Sequence, residues 1–562
     1  MDQTSPPARP KFFAGLSRLP QHRTLQITLV SSLLLFLAQP PVNLWPLAWI
    51  APVPWLWLAR WTRPLPGRRP YGALWLAGMA YWLAVNYWLC LPHWATSFGW
   101  LALCTYHSFL PVMVVGLGRV AARKLKVGIV LAGPVIWIGF DQLRAYLFTG
   151  FSMASLSHSQ YRQTTLIQAA DLCGEFGVTF AIVMFAAVLA RMLPTPDDSR
   201  RALAWAPLGL AVVGLLYAYG ANHPLATPAA DRSQLKIALI QGSIDSELKY
   251  DPGAPPIVFQ HYLDQSRQAL AADPGVQLIV WPETMFPYPR ILVDDNPAIP
   301  PEFEATKEDI AERAAIHESY LVGLVRQLDR PAILGIGTTH FTAEGIKGYN
   351  SALYLDRTGK PLDRYDKQHL VIFGEYVPLA KAIPFLYKLT PLTGGTEEGA
   401  EAKAFAFPPA SSGAATAPEP ARPIVRLSPS VCYETAMARV IRRQFNELRA
   451  RDETPDVLVN VTNDGWFWGS SELDLHLACG VFRAVETRRP LVVAANTGFS
   501  AHIDERGAIL AQGPRRDAGY INAAVTLPAR TISPYMAYGD WLAWLCLAAT
   551  CVFAVVGWRT RS

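Results

Sequence analysis

Charge is what this sequence has least of. Only 17% of its 562 residues are Asp, Glu, Lys or Arg, while 51% are hydrophobic and 18 are Trp, a balance that leans towards a membrane protein. Cysteine patterning is missing too: the 7 cysteines show no paired spacing and no zinc-type pattern, so neither a disulfide framework nor a metal site is indicated. Cys90, Cys104, Cys173, Cys546 and Cys551 lie in apolar segments and read as small hydrophobes. Only Cys432 and Cys479 fall in the polar middle, and nothing near them suggests a disulfide. No internal repeat stands out. The net charge of +6 is modest, and the surplus Lys and Arg sit in short clusters between apolar runs. That is the look of membrane-flanking loops and argues against nucleic-acid binding. A chain of this length predicts two or three units.

What is present first is apolar sequence at both ends of the chain. Runs recur at about residues 24–41, 43–60, 71–91, 98–119, 127–148, 165–191 and 202–220, with a last one at 539–558; each is near the roughly 20 residues that cross a bilayer as a helix. The first two are short and broken by Pro40, Pro41, Pro46, Pro52 and Pro54. Further runs follow the first and no small-residue cleavage site does, so it does not read as a signal peptide. Basic residues mark alternate connections: Arg9, Lys11, Arg18 and Arg23; Arg60, Arg63, Arg68 and Arg69; Arg119, Arg123, Lys124 and Lys126; Arg191, Arg200 and Arg201; Arg559 and Arg561. By the positive-inside rule these connections are cytoplasmic. The chain is then expected to divide into a cytoplasmic segment (1–23), a seven-helix membrane domain (24–220), an extracytoplasmic domain (221–535) and a C-terminal membrane helix with its tail (536–562). Asp141 and Arg144 stand at helical spacing near the outer end of the fifth span. Ionisable groups at membrane depth cost several kcal/mol unless paired or hydrated, so the two are expected either to pair with each other or to meet a lipid headgroup.

From Lys236 the texture changes to short β-rich runs: Ile237–Gln241, Gln277–Trp281, Ala332–Ile336, Ala352–Leu355, Ile424–Leu427, Val457–Thr462 and Leu491–Ala495. Helical, mixed-charge stretches lie between several of them, at Pro256–Ala272, Lys307–Leu328, Thr435–Arg451 and Leu473–Arg488. Strands mixed with helices predict a layered α/β or α+β domain. The Ala/Pro/Ser stretch Phe407–Pro423 reads as a surface loop.

Three segments carry chemistry. In Val280-Trp281-Pro282-Glu283 a proline is expected to stop a buried strand and leave a carboxylate at its tip. Tyr365-Asp366-Lys367-Gln368-His369-Leu370 is followed closely by Phe373-Gly374-Glu375-Tyr376-Val377-Pro378, and the third segment is Pro429-Ser430-Val431-Cys432-Tyr433-Glu434. Acyl transfer through a thioester needs a thiolate, a proton acceptor and a positive donor for the oxyanion. Glu283 suits the proton transfers, Lys367 the thiolate and oxyanion, and Glu375 the orientation of that lysine. Taken singly, a strand-end Cys is ordinarily core, a Glu after Trp-Pro a solvated turn residue, and a Lys in a charged loop a surface group. Their joint occurrence in this order is what points to catalysis.

Together these motifs resemble the Glu–Lys–Cys triad of the nitrilase superfamily, and the flanking membrane spans make the chain resemble bacterial apolipoprotein N-acyltransferases in particular. Ile240-Gln241-Gly242-Ser243-Ile244, Asn460-Val461-Thr462-Asn463-Asp464-Gly465-Trp466-Phe467 and the stretch from Arg489-Pro490 to Asn496-Thr497-Gly498 are similar to further motifs of that family. The resemblance implies an α-β-β-α sandwich standing on a bundle of about eight membrane helices. It makes Glu283 the base, Lys367 the oxyanion stabiliser and Cys432 the nucleophile, with Glu375 and Glu434 as supporting acids. Tyr433 and Trp466 would line the pocket, and Asn463, Asp141 and Arg144 would contact substrate. A glycerophospholipid would donate an acyl chain to Cys432, which would pass it to the α-amino group of a lipoprotein's diacylglyceryl-cysteine. The resemblance implies no cofactor, a monomer, and an inner-membrane location with the catalytic domain facing the periplasm. Departures from the family pattern are Asp141 in place of Glu, Gly150-Phe151-Ser152-Met153, Ser157-His158-Ser159-Gln160, and Tyr250 after Lys249. The alternative with the same triad is a membrane-tethered amidase or nitrile hydrolase with water as acceptor, against which the spans argue. A non-catalytic scaffold or transporter fits neither the intact triad nor the lack of scattered midplane charges.

Overall fold

The structure is a computed structural model that describes residues 23–198, 202–223, 232–245, 248, 251–300, 303–377, 385, 395–407, 424–529 and 531–559. The expected segment 1–22, Arg200 and Arg201, Lys249 and Tyr250, Pro378, Arg561 and the loop from 408 to 423 lie outside these residues.

Among the described residues, four helices are long and apolar enough to cross a bilayer: Thr96–Lys124, Glu175–Met192, Leu203–Ala221 and Trp541–Arg559. The chain is a multi-pass membrane protein. The other four expected runs are also helical but shorter, interrupted or more polar. They form Arg23–Ala38, Pro70–Val85, the polar-tipped Ile129–Tyr146, and a second run split into Trp45–Trp49 and Val53–Ala59. Pro46 and Pro54 stand in the first turns of the last two pieces, where a missing N–H costs nothing. The sixth helix begins at Glu175 rather than 165, because Gly174 at φ +67° breaks the chain before it. The residues ahead of it form two four-residue helices instead, Thr164–Ile167 and Ala170–Cys173.

Among the described residues, twelve strands form the second unit: β1 (Gln234–Gln241), β2 (Leu278–Val293), β3 (Ala332–Thr342), β4 (Gly345–Leu355), β5 (Pro361–Asp366), β6 (Phe405–Phe407), β7 (Val425–Val431), β8 (Val457–Thr462), β9 (Leu491–Ala495), β10 (Ala501–Ile503), β11 (Ile509–Gln512) and β12 (Gly519–Thr526). They build two six-stranded sheets, ordered β12-β1-β2-β3-β4-β5 and β11-β10-β9-β8-β7-β6. In each sheet three central strands run parallel, β1-β2-β3 and β7-β8-β9, and the flanking strands are antiparallel.

Alternation decides which side chains go where. Leu235, Ile237, Leu239, Val280 and Ile333 of the first sheet meet Leu427, Val431, Val457, Val459, Val461 and Val492 of the second in one buried core. On the outer face of the first sheet, Ala238, Ile240, Ile279 and Trp281 pack under the helices Pro255–Ala272 and Lys307–Leu328. Each fully buried aliphatic side chain contributes about 1.5–3 kcal/mol, enough to lock the α-β-β-α layering. Outside the second sheet lies the helix Glu472–Thr487, and its Leu473, Leu475 and Phe482 share one apolar cluster with membrane-domain residues such as Ile167 and Val178.

Charge reinforces that junction. Arg483 Nη2 donates to Glu175 Oε2 (2.8 Å) and Glu486 Oε1 (2.9 Å), the amide of Glu175 donates to the same Glu486 oxygen (2.9 Å), and Arg488 Nη2 meets Asp171 Oδ2 at 2.6 Å.

One expectation is overturned. Pro282 does not stop its strand: β2 continues to Val293, and its register against β3 shifts between Trp281 and Phe286. A bulge is where a sheet tolerates proline, because the extra residue leaves the ladder there anyway. Strands β5, β6, β10, β11 and β12 are additional to the expected set. They are short or polar on alternate residues, and β12 is stabilised by pairing along the whole of β1.

Candidate active site

The three chemical segments lie within β2 and just past β5 of the first sheet and just past β7 of the second. Glu283 sits in the bulge of β2, Lys367 follows β5, and Cys432 follows β7. The bulge needs a bare backbone opposite it: a Cβ on Gly335 would lie 2.1 Å from the carbonyl oxygen of Pro282 and 2.5 Å from the Cα of Glu283. Thr284 then takes the left-handed conformation at φ +54°, and the Glu283 carboxylate turns inward. One oxygen accepts from Asn350 Nδ2 (2.6 Å), the other from the backbone amide of Asn463 (2.9 Å).

Lys367 is pinned at its backbone by Asn350 and Gly399, its amide donating to Asn350 O and its carbonyl accepting from Gly399 N, both at 2.8 Å. Its side chain is 1% exposed, with Nζ 2.9 Å from Glu375 Oε1 and 3.8 Å from Glu283 Oε1. Burial opposes the ammonium charge, but Glu375, Cys432 and Glu283 outweigh it and hold Lys367 above its ordinary range. Glu375 is aimed by Val371, whose amide donates to Oε2 (2.9 Å), and Asn350 Nδ2 also reaches Glu375 Oε1 (3.1 Å). A single amide side chain thus spaces the two carboxylates across the lysine.

Cys432 leaves β7 at φ +52°, a left-handed turn that is strained for a residue with a Cβ. Three donors hold its carbonyl: Thr435 Oγ1 (3.1 Å), Asn460 Nδ2 (3.3 Å) and His476 Nε2 (3.2 Å). Burial pushes the thiol well above its usual value, Glu283 and Asp464 add to this, and Lys367 and a bond to Thr462 oppose it. Glu434 ties the lysine and cysteine turns together. Its carboxylate accepts from Val431 N (2.7 Å), Gln368 N (2.8 Å), His369 N (3.0 Å) and Tyr365 OH (2.8 Å). Its burial raises its pKa above the ordinary value.

The other expected site residues are more dispersed. Tyr433 stacks on His369 with ring centroids 6.3 Å apart, and its hydroxyl reaches Gly150 O at 3.5 Å. Asn463 acts through its backbone on Glu283, while its side-chain oxygen accepts from Asn496 Nδ2 (2.9 Å). Trp466 lies in the following turn, Gly465–Phe467. Asp141 and Arg144 do not join the triad. They form a 2.8 Å ion pair, each 2% exposed, and Arg144 Nη1 also donates to Phe151 O (3.2 Å) and Met153 O (3.0 Å). Ser152, held between those carbonyls, donates to Ala436 O (2.7 Å). The pair therefore braces the segment beneath the Cys432 turn. Cys432 and Cys479 are both free thiols.

Asn350, His476 and Asp464 were not legible as site residues. Asn350 lies in mid-strand without a flanking motif, and His476 is one of several polar residues on a buried helix. His476 Nδ1 faces Asp464 Oδ1 at 3.2 Å, and Nε2 faces Thr435 Oγ1 at 2.9 Å. Burial disfavours its charge, but Asp464 outweighs this and pushes His476 up to about 10. Asp464, Glu472 and His476 offer ligand-type atoms within 4.8 Å of one another; a hydrogen bond joins His476 to Asp464, while Glu472 stands 3.8 Å from Nδ1.

A carboxylate in a strand bulge, with an ammonium and a thiol just past two strand ends of a two-sheet sandwich, defines a carbon–nitrogen-hydrolase domain, carried here on membrane helices. The family model "Carbon-nitrogen hydrolase" matches residues 236–531, more than half of the chain, and that of the "Apolipoprotein N-acyltransferase N-terminal domain" matches residues 31–188. Apolipoprotein N-acyltransferase of Geobacter metallireducens is 34% identical, covering 96% of this chain and 96% of its own. That of Rhodopirellula baltica is 29% identical, over 92% and 94% respectively. Among solved structures, Saccharomyces cerevisiae Nit3, a member of branch 10 of the nitrilase superfamily, is similar over 53% of this chain and 93% of its own, at 16% identity and a TM-score of 0.34. The chain belongs to the apolipoprotein N-acyltransferases, nitrilase-superfamily enzymes that acylate lipoproteins.

Proposed function

We propose that the acyl group travels through a thioester on Cys432, from a glycerophospholipid to the α-amino group of a lipoprotein's N-terminal diacylglyceryl-cysteine. The observation that carries this reading is Lys367 Nζ standing 3.8 Å from the base Glu283 and 2.9 Å from Glu375, in front of a strained cysteine turn. Glu283 takes the thiol proton as Sγ attacks the ester carbonyl carbon, and Lys367 balances the oxyanion. When the tetrahedral intermediate collapses, the carbon–oxygen bond breaks, Glu283 returns the proton to the leaving glycerol oxygen, and a lysophospholipid departs. The amine then attacks the thioester, Glu283 accepts its proton, the carbon–sulfur bond breaks, and the proton returns to the thiolate. Removing the base is expected to cost about 10²–10⁴ in rate, and removing the oxyanion donor about 10²–10³.

We also assign residues 24–220 and 536–562 to the membrane and 221–535 to a catalytic domain on the periplasmic side of the inner membrane. The basic clusters around Arg60, Arg123, Arg191 and Arg559 support that orientation. One chain carries all three triad residues, in keeping with a monomer.

Incubating the protein with a phospholipid that carries a labelled acyl chain tests the route. Label should remain on the protein, leave on hydroxylamine treatment, and be absent from Cys432→Ala. Acyl transfer to a diacylated lipopeptide by Cys432→Ala would sink the mechanism. Omitting the lipopeptide measures transfer to water, the amidase-like alternative.

A further inference from the structure

We propose that Arg439 and Arg443, with Arg442 behind them, form a phosphate-binding shelf that receives the phosphodiester of the acyl-donor lipid at the mouth of the Cys432 site. This rests on the phospholipid-donor reading above.

The three arginines open the helix Ala438–Ala450, whose other face buries Val440, Ile441, Phe445 and Leu448. Spacings of three and four residues put them on one side of the helix, where like charges repel. Their compensation is incomplete. Asp540 approaches Arg442 at 3.6 Å, but it also accepts from Tyr535 OH (2.8 Å) and Tyr146 OH (3.3 Å). Glu447 reaches Arg443 only at 3.8 Å, with both side chains about half exposed. Among the described residues no carboxylate pairs with Arg439, which donates from Nη2 to Thr149 O (2.7 Å) and lies 5.3 Å from the Tyr146 ring.

These contacts fix the height of the cluster. Tyr146 is the last residue of the helix Ile129–Tyr146, and Asp540 immediately precedes the apolar helix Trp541–Arg559. Their mutual hydrogen bond shows that the two helices end at one level, directly beneath the arginines. Just there, Phe148 is 78% exposed and Tyr538 75%, and Trp541 and Trp544 are also open. Exposed aromatic side chains at helix ends mark the membrane–water boundary. Guanidinium groups immediately above that boundary stand where lipid phosphates lie, and their planar fork pairs two phosphate oxygens at once.

The shelf adjoins the nucleophile. Thr149 precedes Gly150, whose carbonyl meets the hydroxyl of Tyr433, the residue after Cys432, and Tyr433 stacks on His369. His369 is pushed down to about 4 by burial and then by the charges of Arg439, Lys367 and Arg443. It stays neutral between shelf and triad and leaves the anion to the arginines. A lipid held by its phosphate at the shelf would present its nearby ester towards Cys432, with its chains running along the open aromatic surface below.

The test compares two acyl donors on the full-length protein in mixed micelles: phosphatidylglycerol, and p-nitrophenyl palmitate, an acyl ester without phosphate. Acyl-enzyme formation is followed in the wild type, in Arg439→Gln/Arg443→Gln, and in Arg439→Lys/Arg443→Lys. The Gln pair should raise the apparent KM for phosphatidylglycerol about tenfold, as loss of charge-assisted phosphate bonds predicts, with kcat retained and the phosphate-free ester unaffected. The Lys pair should recover part of the loss. An unchanged KM for phosphatidylglycerol would mean that the shelf holds bystander lipid or nothing, and an equal loss with both donors would mean a structural role; either overturns the proposal. Absence of any acyl-enzyme in the wild type would instead refute the thioester route itself.

Discussion

His476 Nε2 lies 3.2 Å from the carbonyl oxygen of Cys432 and 2.9 Å from Thr435 Oγ1, which itself donates to that carbonyl at 3.1 Å. With Nδ1 facing Asp464 at 3.2 Å, the ring bridges a buried carboxylate and the backbone of Cys432. It touches no reacting atom, so it is a positioning residue: it holds Cys432 in a left-handed turn that an isolated residue would leave.

Replacing His476 should therefore act through geometry. His476→Leu is expected to slow acyl-enzyme formation by about 10²-fold, the cost of misplacing a reacting group by an ångström. His476→Gln, which keeps one N–H donor, should recover much of the rate. The same residue carries a pH signature in stability. Its folded pKa of about 10 lies above the ordinary value near 6.5. The stabilisation is therefore complete below about pH 6.5 and is lost as pH rises through about 10. Thermal melting of the wild type should fall more across that window than melting of His476→Gln. Parallel melting curves would contradict a charged imidazole.

Glu375→Gln should separate the charge of Lys367 from its placement. The glutamine still has an oxygen for the Val371 amide, but the largest influence raising Lys367 is gone. The Lys367 pKa then falls, and the basic limb of the pH–rate profile should move to lower pH while the acidic limb stays. A basic limb that does not move would show that Glu375 does not set the charge state of the lysine.

Gly335→Ala tests whether the β2 bulge is what aims Glu283. The added Cβ would need the space 2.1 Å from Pro282 O, so the bulge must shift and take the carboxylate with it. The expected result is a fall in kcat of at least about tenfold while the phospholipid KM stays near wild type. Full activity would mean that β3 yields instead of the bulge.

Arg483→Met should loosen the seam between the two units. It leaves Glu175 and Glu486 buried without their cation, and breaking one side of such a pair costs about 3–5 kcal/mol. Thermal denaturation in detergent should show a large drop, partly restored in Arg483→Met/Glu175→Gln/Glu486→Gln. Unchanged stability in the single variant would mean that apolar packing alone carries the seam.

The sequence by itself determined the membrane character and the layered α/β domain, and it named the residues proposed as the triad. Each of these is written in local order: apolar runs of bilayer length, alternating strand residues, and motifs at strand ends whose chemistry is the same wherever the chain goes. Only the tertiary structure decided how β2 passes Pro282, because a bulge depends on an empty Cβ position on the neighbouring strand, at Gly335. Likewise only folding could bring Asn350 between two carboxylates, set His476 behind Cys432, and make Asp141 and Arg144 an enclosed brace. The Asn350 and His476 contacts join residues far apart in the chain, and the Asp141–Arg144 pair, legible from its spacing, becomes a brace only through its distant carbonyl partners; a single polar side chain carries no periodic signal of the partner it will meet.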